Sequence, residues 1–303
     1  MIKSLTVTNP KGESLKIELL RPELSGLIIK SIDGLGPPTA SISSSEIATM
    51  DGALYVGSRL EIRNIVITFL MGENPSVEVN RLKTYQYFPT KRPITLQIET
   101  DTKTAQIKGY VESNEPEIFS EQEETKISIV CLDPYFYDAD KTIVNFSDVI
   151  PKFEFAFENP SLTENKIEMS EIRVDMRSLI VYPGDGDTGL IITIQMYADV
   201  AKFDMYNTFT NGSMKFVGSK LPSSLGTTFK KGDILEISTK KGDKYVTLIR
   251  SGVRNNAITC LQRNPEWFQL TPGDNIFSYA ADDGDNDENV SVTFNYYVAY
   301  EGV

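Results

Sequence analysis

The chain has 303 residues and sets 30 Lys and Arg against 42 Asp and Glu, for a formal net charge of −12. That length allows two cored domains, an apolar content of 40% excludes wholesale disorder, and the acidity argues against a phosphate-gripping surface, which needs clustered Lys and Arg. There is no histidine, which removes Ser-His-Asp and Cys-His nucleophiles, histidine metal ligands and histidine pH switches together.

From Met1 the sequence runs directly into an alternating strand, so no signal peptide is expected, and synthesis in the cytoplasm is. No apolar run approaches the ~20 residues that cross a bilayer, so no membrane partner is expected. Residues 5–8 and 14–20 alternate around Asn9-Pro10-Lys11-Gly12, which predicts a hairpin. The breaker cluster Gly34-Leu35-Gly36-Pro37-Pro38-Thr39 follows. Residues 39–54 are small and polar without a clear period, and they are read as a long loop or arm. Leu60 to Leu70 is a strong strand pattern.

One helix is expected next. Asn74 is its candidate N-cap, Pro75 its first position, and Val79, Leu82 and Tyr85 its apolar stripe; Pro89 ends it. Residues 94–99 and 105–112 alternate around Asp101-Thr102-Lys103 as a second hairpin, and 126–132 is a further strand. The aromatic corner Asp133-Pro134-Tyr135-Phe136-Tyr137-Asp138 closes this half, which sets domains of 1–140 and 141–303. The second half is strand after strand: 172–182, 190–196, 234–238, 245–249, 275–279 and 290–300. Short strands between frequent turns predict an antiparallel β-sandwich, and the whole chain reads as mainly β. Cys131 and Cys260 lie far apart in strand-like runs and are expected as buried small apolar residues with no disulfide or zinc role.

Candidate chemistry is sparse. The acidic run Asp282-Asp283-Gly284-Asp285-Asn286-Asp287-Glu288 offers oxygen ligands of the kind calcium takes, but lacks EF-hand spacing; a solvated hairpin tip is expected. In residues 183–189 the Gly and Asp content is accounted for by turn chemistry. Glycoside hydrolysis needs two carboxylates about 5 to 10 Å apart, and so many acids give no specific signal for such a pair. No cofactor motif is present, since no Gly-rich loop is followed by the required helix or Lys. Arg59 and Arg63 flank the strong strand and suit either a contact between subunits or a solvated strand end. Trp267 is the lone Trp; with Phe268 it suits either a core anchor beneath the last hairpin or a sugar-stacking platform.

Five segments in order resemble the distal tail protein (Dit) family of long-tailed siphophages. They are Gly36-Pro37-Pro38 with the arm and Arg63-Asn64-Ile65; the Pro75-led helix with Lys91-Arg92-Pro93; Cys131-Leu132-Asp133-Pro134-Tyr135-Phe136-Tyr137; Gly232-Asp233-Ile234-Leu235-Glu236-Ile237; and Trp267 to Asn275 with the ending Tyr300-Glu301-Gly302-Val303. The resemblance spans nearly the whole chain. It implies an N-terminal split β-barrel-like domain with one helix and a hairpin, repeated sixfold as a ring, and a C-terminal galectin-like or carbohydrate-module-like sandwich outside it. It implies a non-enzymatic homohexamer at the tail tip, in which Ser43 and Met50 of the arm and Arg59 and Arg63 of the strand are the expected contacts between subunits. The implied neighbours are a tail tube protein, a tail-tip hub protein and peripheral receptor-binding proteins, with DNA passing the lumen unbound. The second half is longer than the family's minimal sandwich, around 145–170 and 200–230, which leaves the peripheral partner open. The alternative function is a carbohydrate-binding module that aids adhesion to host-wall glycan.

Overall fold

The computed structural model describes residues 1–47, 49, 51–151, 170–174, 177–285 and 287–303. The chain divides into two compact units, Met1–Asp140 with Ala299–Val303, and Lys141–Val298.

The first unit contains β1 (Ile2–Thr8), β2 (Ser14–Glu18), β3 (Leu27–Asp33), β4 (Ala40–Glu46), β5 (Ala53–Leu60), β6 (Arg63–Met71), the helix α1 (Val77–Tyr87), β7 (Pro93–Thr100), β8 (Thr104–Glu117), β9 (Glu124–Cys131) and β10 (Phe136–Asp138). Its main sheet runs β2-β1-β7-β8-β9-β6-β3, all antiparallel neighbours. The two ends of that path do not pair, so among the described residues the sheet does not close into a barrel. Alternation makes the sheet one-sided: Ile65, Ile67 and Phe69 of β6, Ile127, Ile129 and Cys131 of β9, and Leu96 and Ile98 of β7 are all buried. The period of two puts every second side chain into one core.

Two expectations are corrected in this unit. Of the segment read as a long loop or arm, residues 40–46 and 53–54 are strand, so the arm is a hairpin. β4 and β5 form a two-stranded hairpin, with Ala40 opposite Leu60 and Glu46 opposite Ala53. Small Ser residues tolerate the extended backbone, and Ile42, Tyr55 and Val56 favour it. The second correction concerns α1. Its N-cap is Ser76, whose Oγ accepts the Val79 N–H at 3.3 Å; Asn74 and Pro75 precede it. Asn80 instead secures the entry by donating from Nδ2 to the carbonyls of Gly72 (2.8 Å) and Asn74 (3.0 Å).

The second unit contains β11 (Thr142–Asn145), β12 (Ser147–Pro151), β13 (Ser170–Val174), β14 (Arg177–Tyr182), β15 (Thr188–Gly189), β16 (Ile191–Met196), β17 (Lys202–Asn207), β18 (Gly212–Val217), β19 (Ile234–Lys240), β20 (Asp243–Arg250), β21 (Val253–Asn256), β22 (Gln269–Leu270), β23 (Gly273–Ala281) and β24 (Val290–Tyr296). A six-stranded sheet runs β11-β24-β16-β19-β20-β21, and a four-stranded sheet runs β14-β23-β17-β18. Aromatic rings join their inner faces: Phe277 of β23 meets Phe294 of β24 edge-on at 4.9 Å, and Phe146 reaches both Phe294 (4.8 Å) and Tyr279 (5.9 Å). This is the expected antiparallel sandwich.

The C-terminal strand β25 (Ala299–Tyr300) pairs with β10, Phe136 opposite Tyr300. Residues 299–303 therefore belong to the first unit and not to the expected second domain of 141–303.

Candidate assembly surface

The first unit presents two apolar surfaces to solvent. On α1, Val79, Leu82 and Tyr85 are 42%, 53% and 41% exposed, while Asn80 and Thr84 are fully buried. With about 3.6 residues per turn, the buried polar pair and the apolar stripe lie on opposite sides of the helix. Polar contacts hold it in place. Lys83 Nζ donates to the Ser25 carbonyl at 2.8 Å, and Arg81 pairs with Glu123 at 2.9 Å, both side chains largely buried. At the C-terminal end Phe88 packs on Phe69 with ring centroids 5.7 Å apart. The sequence marks the helical stripe correctly, but periodicity carries no information about which side of a helix faces the core.

The β4–β5 hairpin is the second surface. Among the described residues its strands pair only with each other. Ile42, Tyr55 and Val56 are each about two-thirds exposed. A lone two-stranded ribbon is marginal in water, and apolar side chains on it gain only from a cover. Ser43 is exposed on this hairpin opposite Gly57, and Arg59 is exposed opposite Ser41. Met50 lies outside the described residues.

Arg63 is corrected: it is only 3% exposed and points into its own unit. Its guanidinium donates from Nε to the Pro134 carbonyl (2.8 Å), from Nη1 to those of Gly34 and Gly36 (2.5 Å each), and from Nη2 to that of Glu301 (2.6 Å). The Phe136 ring lies 4.6 Å from Cζ. Burial pushes the guanidinium pKa down. Four carbonyls on one planar fork make an internal clamp that gathers the approach to the hairpin, the aromatic corner and the C-terminus. Gly34 suits its place there: its φ is +87°, and a Cβ would meet the Asn64 carbonyl oxygen at 2.2 Å.

In the second unit Phe268 is fully buried and packs on Phe277 at 5.5 Å, while Trp267 is half-buried with Lys244 Nζ 5.4 Å from its ring. The acidic run builds its own turn. Asp282 Oδ1 accepts the N–H groups of Ala201 (2.9 Å) and Lys202 (2.8 Å), and Asp287, only 5% exposed, accepts the Ala281 N–H at 2.6 Å. Asp287 therefore departs from the expected solvated tip. Among the described residues no three Cys, Asp or Glu side chains converge as a metal site. The Cys131 and Cys260 thiols are buried, and burial pushes their pKa values up to about 11 and about 12.

No protein-family model matches the chain, and no curated protein matches it by sequence. Solved structures do match it by fold. The crystal structure of Dit (gp 19.1) of phage SPP1, described as a paradigm of hub adsorption apparatus in phages that infect Gram-positive hosts, aligns over 97% of this chain and 99% of that one, with a TM-score of 0.64 at 10% identity. The fold is that of a phage Dit protein. The phage P2 baseplate in its activated conformation with Ca aligns over 100% of both chains with a TM-score of 0.53 at 10% identity. The same baseplate with Sr aligns over 99% of both, with a TM-score of 0.50 at 10% identity. The Dit fold thus accounts for both units together.

Proposed function

We propose that the chain is a non-enzymatic structural protein of a phage virion, at the distal end of the tail. In this reading six copies of the first unit form a ring that joins the tail tube to the tail-tip hub. The second unit lies on the periphery as a docking platform for baseplate or receptor-binding proteins. DNA passes the lumen without specific binding.

The observation that carries the reading is the Dit fold over almost the whole chain, shared with a protein described as part of a hub adsorption apparatus. The apolar stripe of α1 and the hairpin with Ile42, Tyr55 and Val56 support it, because a ring needs two different patches per subunit. Each subunit's hairpin covers a neighbour, and heterologous contacts close into a ring when the rotation closes. Ser43 and Arg59 on the hairpin remain proposed contacts between subunits.

Two experiments test this. Native mass spectrometry of the purified chain, alone and with its tail tube protein, reads the ring directly. Immunogold labelling of intact tails reads the position. Label along the tube or head, or a protein absent from purified tails, would falsify the placement. A monomer under every condition would remove the ring.

A further inference from the structure

We infer that the turn between β8 and β9 of one copy docks in a groove on the second unit of another copy, with Phe119 as the inserted side chain. The contact is separate from the α1 and hairpin surfaces, and it does not depend on the ring.

The β8–β9 turn is a held knob. Phe119 is fully exposed and its neighbour Ile118 is half-exposed. The backbone around them is fixed on both strands. Ser120 Oγ reaches the carbonyls of Glu117 (3.0 Å) and Gln122. The Glu123 side chain pairs with Arg81 at 2.9 Å, its carbonyl accepts the Met71 N–H at 2.9 Å, and Glu124 pairs with Lys30. An uncovered aromatic ring on a fixed turn is a preorganised anchor, because little loop entropy is left to lose on binding. Glu117 and Glu121 flank the ring, both exposed and without an ion pair among the described residues. A fitting partner surface therefore has a socket for one ring and cations at its rim.

The second unit carries such a socket where β21 leaves β20. It has a volume of about 330 Å³, and its lining includes Lys244, Tyr245, Val246, Arg254, Asn256 and Ile258. A cavity of about 150 Å³ already holds a benzene ring, so Phe119 has room there. Val246 is buried beneath the groove and Ile258 is 39% exposed beside it, which leaves apolar surface to cover. The two cations suit the knob in two ways. A cationic head attracts the face of an aromatic ring, and Lys244 Nζ already lies 5.4 Å from the Trp267 ring in this manner. The same heads are counter-ions for Glu117 and Glu121. Glu236 pairs with Arg254 and so orients its guanidinium, while Lys244 has no ion pair among the described residues. Copies of a chain of net charge −12 repel one another at long range, so a contact between copies gains where an acidic patch meets a basic one. The acidic turn and the groove with Lys244 and Arg254 supply that match from a single sequence.

The test uses the full chain with the photoreactive residue p-benzoylphenylalanine in place of Phe119, which keeps an aromatic ring at the tip. Illumination at ~0.1 mM, enough to populate micromolar contacts, should give covalent dimers joined from residue 119 of one copy to the stretch 244–258 of the other. An equal mixture of isotope-labelled and unlabelled chain separates adducts between copies from adducts within one. Adding Lys244→Glu to the photoreactive chain should lower the yield about tenfold, the loss of one charge-assisted contact. That chain still has an intact tip. Mixing it with Phe119→Ser, which has an intact groove and no photoreactive group, should restore the yield, with every adduct on the Phe119→Ser partner. Circular dichroism and Tm confirm that the variants fold. Absence of adducts, or adducts within one copy only, overturns the docking. Adducts on α1 or on the β4–β5 hairpin would assign the tip to the ring and overturn the groove as its socket. An unchanged yield with Lys244→Glu, or no recovery in the mixture, overturns the pairing of tip and groove.

Discussion

Arg63 and Glu301 are 238 positions apart in sequence, and Arg63 Nη2 donates to the Glu301 carbonyl at 2.6 Å. Two further contacts fix the same terminus. Lys103 Nζ donates to the Gly302 carbonyl at 3.0 Å and lies 3.9 Å from the Tyr300 ring centroid, and the Val303 N–H donates to the Leu35 carbonyl at 3.2 Å. The last five residues are thus a structural part of a unit whose other residues end at Asp140.

Replacing the buried Arg63 by Met leaves four partly buried carbonyls without their donor. We expect a loss of ~3–5 kcal/mol from the first unit. Urea unfolding of the full chain checks this, and a loss below ~1 kcal/mol would return Arg63 to the class of ordinary surface cations.

Truncation after Val298 removes β25 and, with Glu301, one of the four acceptors of Arg63. Combining it with Arg63→Met should cost less than the two separate losses added, because the changes delete a shared contact. The expected coupling is about 0.5–3 kcal/mol in a double-mutant cycle. Strict additivity would show that the terminus and the clamp act separately.

Leu82→Asp and Tyr55→Ser change exposed positions on α1 and the hairpin. Each should leave the monomer's stability within about 0.5 kcal/mol and still reduce ring formation in native mass spectra. An unfolded variant, or an unaltered ring, argues against these surfaces as subunit contacts.

Phe268→Ala should cost ~3–5 kcal/mol, since a fully buried ring is lost against Phe277. Trp267→Ala should cost less, because its ring is only half-buried beside Lys244. Thermal unfolding of both variants ranks them, and a larger loss for Trp267 would reverse the assignment of core and rim.

The thiols predict a pH effect. Their ordinary pKa is 9.0, and burial raises Cys131 to about 11 and Cys260 to about 12. The folded state holds these protons where the unfolded state has lost them. Their contribution is therefore fully present below pH 9 and declines as pH rises through that window. Native protein at pH 8 should react slowly with a thiol reagent and quickly in denaturant. Comparable rates in the two states would place the thiols at the surface.

Much of the fold is legible in local pattern. Alternation at Ile65-Ile67-Phe69 and Ile127-Ile129-Cys131 marks the buried face of β6 and β9, because a strand has a period of two and one side must be apolar. The presence of α1 and the sandwich character of the second half follow from the same kind of reading. The candidate assembly surface is only half legible. Val79, Leu82 and Tyr85 are visible as a stripe, yet a stripe alone looks like a core face. Asn80 and Thr84 turn it outward by taking the buried side.

By itself, then, the sequence determined what repeats over a few residues: strand periodicity, turn chemistry, the missing histidine chemistry and the order of motifs. Only the tertiary structure decided what depends on distant partners. Arg63 reads as a free cation until Gly34, Gly36, Pro134 and Glu301 converge on it, and the chain ending reads as part of the second half until Tyr300 pairs with Phe136. Local patterns state which groups need burial or a hydrogen bond. The groups that satisfy them are chosen by chain closure over long separations, where no local period exists.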